Sequence, residues 1–336
     1  MPSCATPIVV AAHRILTTLL ASSLLAAPSP GETGSPPPSA RVAAGGFVTY
    51  RLTGGDVYRF DARGAARPVD ISAALDRLSP RALDEWLNVS PGGRWMLTST
   101  ERFGCGGDAC LARISSSLRT GGALQVGGAD LRADGFGAIS SDGALVVYPQ
   151  GAGAHTRDLW VTTRRAGSWT TPRNITSASP FDHNTQPAIS ADGRHVLFDC
   201  GAGLAGDPGT AVCSVSTSGG RVSVVMAPAD GPGGSARNEV HHADFSPGGD
   251  VVFEADWHGE QIWRLPRGLR DPVLVSRVNN DNSPCVLGDG RIASLYLDRP
   301  GNRDGVHEIR VAGSRGTAGR EILTGVDVAD IGIGCS

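Results

Sequence analysis

Gln186-Pro-Ala-Ile-Ser-Ala-Asp-Gly-Arg-His-Val-Leu-Phe198 is the stretch whose reading decides the fold. It predicts a short strand, a tight turn at Ala191-Asp192-Gly193 and a second strand that is apolar throughout. Versions of it recur as Asn88-Val-Ser-Pro-Gly-Gly93, Ala138-Ile-Ser-Ser-Asp-Gly143, Asp244-Phe-Ser-Pro-Gly-Gly249 and, with the serine lost, Cys285-Val-Leu-Gly-Asp-Gly290. The turn glycines Gly93, Gly143, Gly193, Gly249 and Gly290 lie 50, 50, 56 and 41 residues apart. A period of that size marks a propeller or a solenoid.

An apolar run follows every turn: Trp95-Met-Leu97, Leu145-Val-Val-Tyr148, Val196-Leu-Phe198, Val251-Val-Phe253 and Ile292-Ala-Ser-Leu295. A strand that is apolar on both faces must be covered on both, as in blades stacked around an axis. A third strand is expected in each repeat, clearest at Asp158-Leu-Trp160 and Gln261-Ile-Trp263 and weaker at Glu308-Ile-Arg310, Ala211-Val-Cys213 and Ala109-Cys-Leu111. A more polar fourth strand follows, as at Val222-Ser-Val-Val225 and Pro272-Val-Leu-Val275, suited to an edge that faces water.

The two ends complete the count. Gly46-Phe-Val-Thr-Tyr50, Asp56-Val-Tyr58 and Ala66-Arg-Pro-Val-Asp70 read as second, third and fourth strands without a first, and Ala329-Asp-Ile-Gly-Ile-Gly334 reads as a first strand without successors. Together they make one blade. The expected fold is therefore an all-β, six-bladed β-propeller of four-stranded blades, its ring closed by the N- and C-terminal strands.

Composition agrees with one large all-β domain: 40% hydrophobic residues and 46 glycines in 336 residues supply a core and many tight turns. The formal net charge of −3 provides no basic field for phosphate backbones, so no nucleic-acid partner is expected. Every basic side chain apart from histidine is arginine, which excludes a P-loop or a lysine Schiff base. Residues 1–27 read as an export signal, with His13 and Arg14 ahead of an apolar stretch from Ile15 to Ala27 that is short for a membrane span. Residues 28–44, rich in Pro, Ser and Gly, read as a flexible linker, and the propeller occupies 45–336. The mature chain is thus expected to be periplasmic or extracellular, monomeric and without stable membrane insertion.

The phrase Pro187-Ala-Ile-Ser-Ala-Asp-Gly193, an apolar strand after it, and then Asp-Leu-Trp or Gln-Ile-Trp resembles the repeat of TolB-type propellers. That WD40-like family lacks the Trp-Asp dipeptide and Gly-His pair of true WD repeats, and so does this chain. The resemblance spans roughly Gly45 to Cys335 and implies the propeller fold. Such propellers serve as binding platforms, as covers over peptidase domains and occasionally as enzymes, so it does not assign a function. TolB itself carries a further N-terminal domain, whereas a signal and tether precede the blades here, and no Tol-system role is expected.

Setting Cys4 aside, six cysteines remain, and the repeat register selects one pairing among 15. Cys105 with Cys110 and Cys200 with Cys213 bracket second-to-third-strand loops. Cys285 on one first strand and Cys335 on the closing first strand form the last pair. Oxidised pairs fit an exported protein. Gly201-Ala-Gly-Leu-Ala-Gly206 spells a dinucleotide fingerprint but lies between two strands, where a helix N-terminus is required, so it reads as a hairpin loop. No Gly-x-Ser-x-Gly elbow is present.

Candidate ligand-binding residues cluster just upstream of the turns: Asp182 and His183, then Glu239, His241 and His242, then Asp281, with Asp327 before the closing strand. First strands line the axis of a propeller, so these groups are expected to converge at one mouth of the channel. Imidazoles and carboxylates there suit a divalent metal or a polar ligand, with His183, Glu239 and His242 as the metal set. Because side chains alternate along a strand, only one of His241 and His242 is expected to face the channel. Trp86 and Phe136 hold the corresponding positions in two other blades and read as channel packing. The expected function is a non-catalytic binding or scaffold module for a protein or peptide partner. The alternative is a metal-dependent enzyme, lyase- or hydrolase-like toward a polysaccharide.

Overall fold

The computed structural model describes residues 46–336 apart from 54, 63–66, 81–82, 106–108, 154–155, 202–209, 277–279, 297–306, 317–319, 323–326 and 329–332. The signal and linker expected over residues 1–44 lie outside the described residues, all of which belong to the compact unit Ala40–Ser336. In chain order the strands are β1 (Phe47–Arg51), β2 (Val57–Asp61) and β3 (Val69–Asp70), then helix α1 (Ser72–Leu78). Next come β4 (Asp84–Val89), β5 (Trp95–Thr100), β6 (Cys110–Ser115), β7 (Gly121–Ala123), β8 (Gln125–Val126) and β9 (Ala129–Asp130). They continue as β10 (Ala138–Ile139), β11 (Leu145–Gly153), β12 (Thr156–Arg165), β13 (Ser168–Trp169) and β14 (Arg173–Asn174). Further on lie β15 (His183–Ile189), β16 (His195–Gly201), β17 (Ala211–Ser216) and β18 (Ser223–Met226). The last are β19 (Val240–Phe245), β20 (Val251–Ala255), β21 (Gln261–Leu265), β22 (Val273–Leu274), β23 (Asp281–Val286), β24 (Ile292–Tyr296), β25 (Glu308–Ala312), β26 (Arg320–Ile322) and β27 (Gly334–Cys335).

Pairing follows the repeat. The first sheet is β27-β1-β2-β3, so the C-terminal strand completes the N-terminal sheet as the ends of the sequence predict. The second is β4-β5-β6-β7, the fifth β19-β20-β21-β22 and the sixth β23-β24-β25-β26. The third (β10-β11-β12 with β14) and the fourth (β15-β16-β17-β18) run together through one parallel bridge, Arg157 to His183.

The turn chemistry explains the repeated phrase. In the quoted stretch Gly193 N–H donates to Ser190 O at 2.8 Å, and Gly193 takes the left-handed φ of +70° that glycine tolerates. Ser190 Oγ donates to Asp192 Oδ1 at 2.6 Å and accepts from His195 N–H at 2.9 Å. Ser140, Asp142 and Leu145 repeat the arrangement one sheet earlier.

The second strands are covered on both faces. Met96 packs toward the first sheet and α1, and its neighbour Leu97 packs toward the third sheet. Leu197 joins residues of the fifth sheet, whereas Val196 and Phe198 join those of the third. Ile292 meets the fifth sheet, and Ala293 and Leu295 meet the first. Each fully buried side chain of this size contributes about 1.5–3 kcal/mol, so these inter-sheet layers dominate the fold's stability.

Helix α1 and the β8-β9 hairpin are among the elements that lie outside the repeat. Ile71 and Leu75 of the α1 segment pack between the first and second sheets. Buried Arg102 ties the helix to β4, with Asp76 at 2.8 Å and Asp84 at 3.0 Å. The three expected disulfides are present: Cys105–Cys110, Cys200–Cys213 and Cys285–Cys335, with Cα–Cα distances of 5.7, 5.9 and 5.5 Å.

Candidate functional site

The site is built on a strand irregularity. Along β19, Val240 pairs with Ala255 and His241 with Glu254, but the next pair is Asp244 with Val252. The chain therefore inserts a bulge, and His242 adopts φ +53° there. β15 and β23 carry the same feature, with Gln186 at φ +51° and Ser283 at φ +48°. All three residues lie seven before the turn glycine of their own repeat, at Gly193, Gly249 and Gly290.

Carboxylates of the preceding sheet hold two of these bulges. His242 N–H donates to Asp199 Oδ1 of β16 at 3.0 Å, and Ser283 N–H donates to Glu254 Oε2 of β20 at 2.8 Å. The left-handed backbone costs roughly 1–2 kcal/mol for a residue with a Cβ. A charge-assisted hydrogen bond to a buried acid offsets it.

The bulge overturns the expectation that only one histidine of the pair can face inward. Alternation fails at a bulge, and both rings reach one carboxylate. His241 Nε2 lies 3.2 Å from Glu254 Oε1, and His242 Nδ1 lies 3.0 Å from Oε2. The rings stack with centroids 4.5 Å apart. Each histidine side chain is 23% exposed while Glu254 is buried, so the pair can be reached from solvent and its anchor cannot.

Electrostatics follow from this burial. Burial pushes the Glu254 carboxyl up, but hydrogen bonds from His241 and His242 outweigh it and hold the acid well below the usual carboxylate range. Burial pulls His241 down, yet its hydrogen bond and charge contact with Glu254 raise it to about 9. Asp199 is pushed up to about 6 by burial against the pull of His242 and His241. Asp244, also pushed up to about 6 by burial, accepts from Val286 N–H and Phe245 N–H at 2.8 Å each.

The other expected residues are placed elsewhere. Asp182 is exposed, and its carbonyl accepts from Arg157 N–H. His183 Nε2 lies 3.2 Å from the Arg157 guanidinium, and burial followed by that charge lowers its pKa. Glu239 is exposed, within electrostatic reach of His241. Asp281 is committed to Ser294 and, at 2.7 Å, to Arg310. Asp327 caps His307, accepting from its N–H at 2.7 Å, and contacts Thr53, tying the sixth sheet to the first. Trp86 and Phe136 stack at 5.7 Å, with Trp86 buried.

The structure gathers a set of metal donors different from His183, Glu239 and His242. One donor atom each from Asp199, His241 and His242 can be chosen within 4.8 Å of the others, the one such group of three among the described residues. Asp199 and Glu254 are the residues that sequence reasoning missed. A signal was present, since each is an acid inside an otherwise apolar, doubly covered strand, where it must be paired.

Comparison with known proteins bears on the fold. A TolB of Acinetobacter baumannii superposes with a TM-score of 0.62 at 11% identity, over 87% of this chain and 66% of that one. A protein assigned as TolB from Agrobacterium tumefaciens gives 0.54 at 17% identity, over 83% and 88%. The fold is that of a TolB-type β-propeller. The likeness extends to part of a larger protein. A puromycin-hydrolysing peptidase of Mycobacterium tuberculosis matches with a TM-score of 0.52 and 11% identity, over 82% of this chain but 43% of that one. No protein-family model matches the chain, and no curated protein matches its sequence.

Proposed function

We propose that the protein is an exported TolB-type propeller of six blades in a closed ring, which binds a protein or peptide partner without catalysis. Closure is supported by packing: each sheet shares a buried apolar layer with the sheet before and the sheet after it, the sixth with the first. The Cys285–Cys335 bond joins β23 of the sixth sheet to β27 of the first. Export is supported by three disulfides, which persist in oxidising compartments. No helix among the described residues is long and apolar enough to cross a membrane.

The observation that carries the binding role is the pair of stacked, partly exposed imidazoles on one buried carboxylate. Polar groups whose own orientation is locked by buried partners can fix the orientation of a ligand. The test is a random-peptide phage selection on purified protein, counter-screened on His242→Ala. Peptides that the wild type retains and the variant releases are expected. Enrichment that survives the substitution, or turnover of a peptide or polysaccharide that the substitution abolishes, overturns the proposal.

A further inference from the structure

We propose that Asp199, His241 and His242 form a binding site for a divalent first-row transition ion, with Glu254 as the outer carboxylate that orients both rings. The inference deepens the binding role proposed above by naming the chemistry of the same site.

Three observations converge on it. Donor atoms of the three residues can be brought within 4.8 Å of one another, close enough for small rotamer adjustments to place them around one ion. Glu254 takes Nε2 of His241 and Nδ1 of His242, which leaves His241 Nδ1 and His242 Nε2 as the ligand atoms, with His241 giving up its Nδ1 proton as the ion binds. A ligating histidine ordinarily donates its other ring N–H to a carboxylate, which fixes the tautomer and strengthens the donor, and here one buried acid does this for two rings. Asp199 uses Oδ1 to hold the His242 backbone, which positions the ring and the carboxylate relative to each other.

The third observation is independent of the cluster. On the adjoining strand β23, Asn282 Oδ1 and Ser283 Oγ are buried without a hydrogen-bond partner among the described residues. Ser283 N–H donates to the same Glu254 oxygen that receives His242, which sets the backbone of this strand beside the site. A buried polar atom without a partner calls for a physical reason, and a bound ion with its waters would supply one here. Two imidazoles and a carboxylate suit zinc, cobalt, nickel or iron rather than calcium or magnesium, which prefer all-oxygen shells. Three protein donors leave coordination positions open, where a carboxylate or carbonyl of a bound peptide can attach.

The experiment uses the full exported chain, stripped with chelator and titrated with Co²⁺ while its visible d–d bands are followed, then with Zn²⁺ as competitor. Saturable cobalt bands that zinc displaces are expected. Asp199→Asn keeps the acceptor for His242 N–H and so keeps the fold, and it should weaken cobalt at least tenfold, as should His242→Gln. Glu254→Gln should weaken it about 10–100-fold. His183→Ala, outside the cluster, should leave it unchanged, and circular-dichroism melts of every variant confirm folding. Absence of cobalt bands in the wild type, bands that persist in both Asp199→Asn and His242→Gln, or bands lost in His183→Ala overturn the site. Peptide selection that succeeds where cobalt fails sinks the metal inference alone, and cobalt binding without any enriched peptide sinks the binding role alone.

Discussion

Removing the carboxylate at Glu254 should be among the most destabilising single changes in the chain. Glu254 accepts three N–H groups, from His241 Nε2 at 3.2 Å, His242 Nδ1 at 3.0 Å and Ser283 N at 2.8 Å. Glu254→Ala leaves all three without their acceptor. Hydrogen bonds to a charged group contribute about 1.5–3 kcal/mol each, so three would sum to roughly 5–9 kcal/mol. Both rings are 23% exposed, so water takes over part of that loss at the histidines. Ser283 N–H faces a buried acid and has the least relief. The expected cost is therefore about 3–5 kcal/mol, the range for deleting one partner of a buried ion pair. Urea denaturation at neutral pH in chelator, with m-values compared, reads it directly. Glu254→Ala combined with His241→Ala should cost less than the sum of the two single changes, because the two share one interaction. A loss below about 1 kcal/mol, the scale of a surface ion pair, would refute the reasoning.

Three further outcomes are expected. Replacing Cys285 and Cys335 by serine should lower stability by about 2–4 kcal/mol, measured by denaturant unfolding against the unreduced wild type. At Gln186, where φ is +51°, the wild-type side chain already bears the cost of a left-handed Cβ, so glycine should be neutral or stabilising by up to about 1–2 kcal/mol on a thermal melt, whereas β-branched valine should lower the melting temperature. At Asp142 burial raises the carboxyl, but the Ser140 hydroxyl and the Ala144 N–H outweigh it and hold it below its ordinary value. Its folded pKa thus lies below the unfolded one, so its contribution is present above about pH 4 and lost as pH falls through the folded value. Asp142→Asn should flatten that acid limb in stability measured against pH.

The repeated serine-to-glycine turn made most of the fold legible in the sequence. Its hydrogen bonds span only two to five residues, as from Ser190 to Asp192 and from His195 to Ser190, so local residues suffice to specify it. Register then carried the disulfides, since Cys200 and Cys213 sit on adjacent antiparallel strands. Helix α1 was overlooked because it interrupts the repeat, although Ile71, Leu75 and Leu78 have helical spacing and pack on one cluster.

The site was only half legible. His241 and His242 stood out as residues, but their common orientation depends on a bulge whose backbone is held by Asp199, 43 positions away in the chain. Strict alternation, a local rule, could not anticipate that. Glu254 and Asp199 sit inside runs dominated by apolar residues, and a buried acid in such a run points to a partner on the next sheet. Asp281 lies just upstream of the histidines' counterparts in the next repeat, Asn282 and Ser283, yet Arg310 and Ser294 claim its carboxylate.

The claim on which the site depends is that the β19 bulge turns two consecutive histidines onto one buried acid. A crystal structure of the purified chain that fixes ring positions tests it most directly. The predicted result is His241 Nε2 and His242 Nδ1 on opposite oxygens of Glu254, near 3.2 and 3.0 Å, with stacked rings and a left-handed His242. Regular alternation along β19, with the two rings on opposite faces of the strand and only one in contact with Glu254, would contradict it.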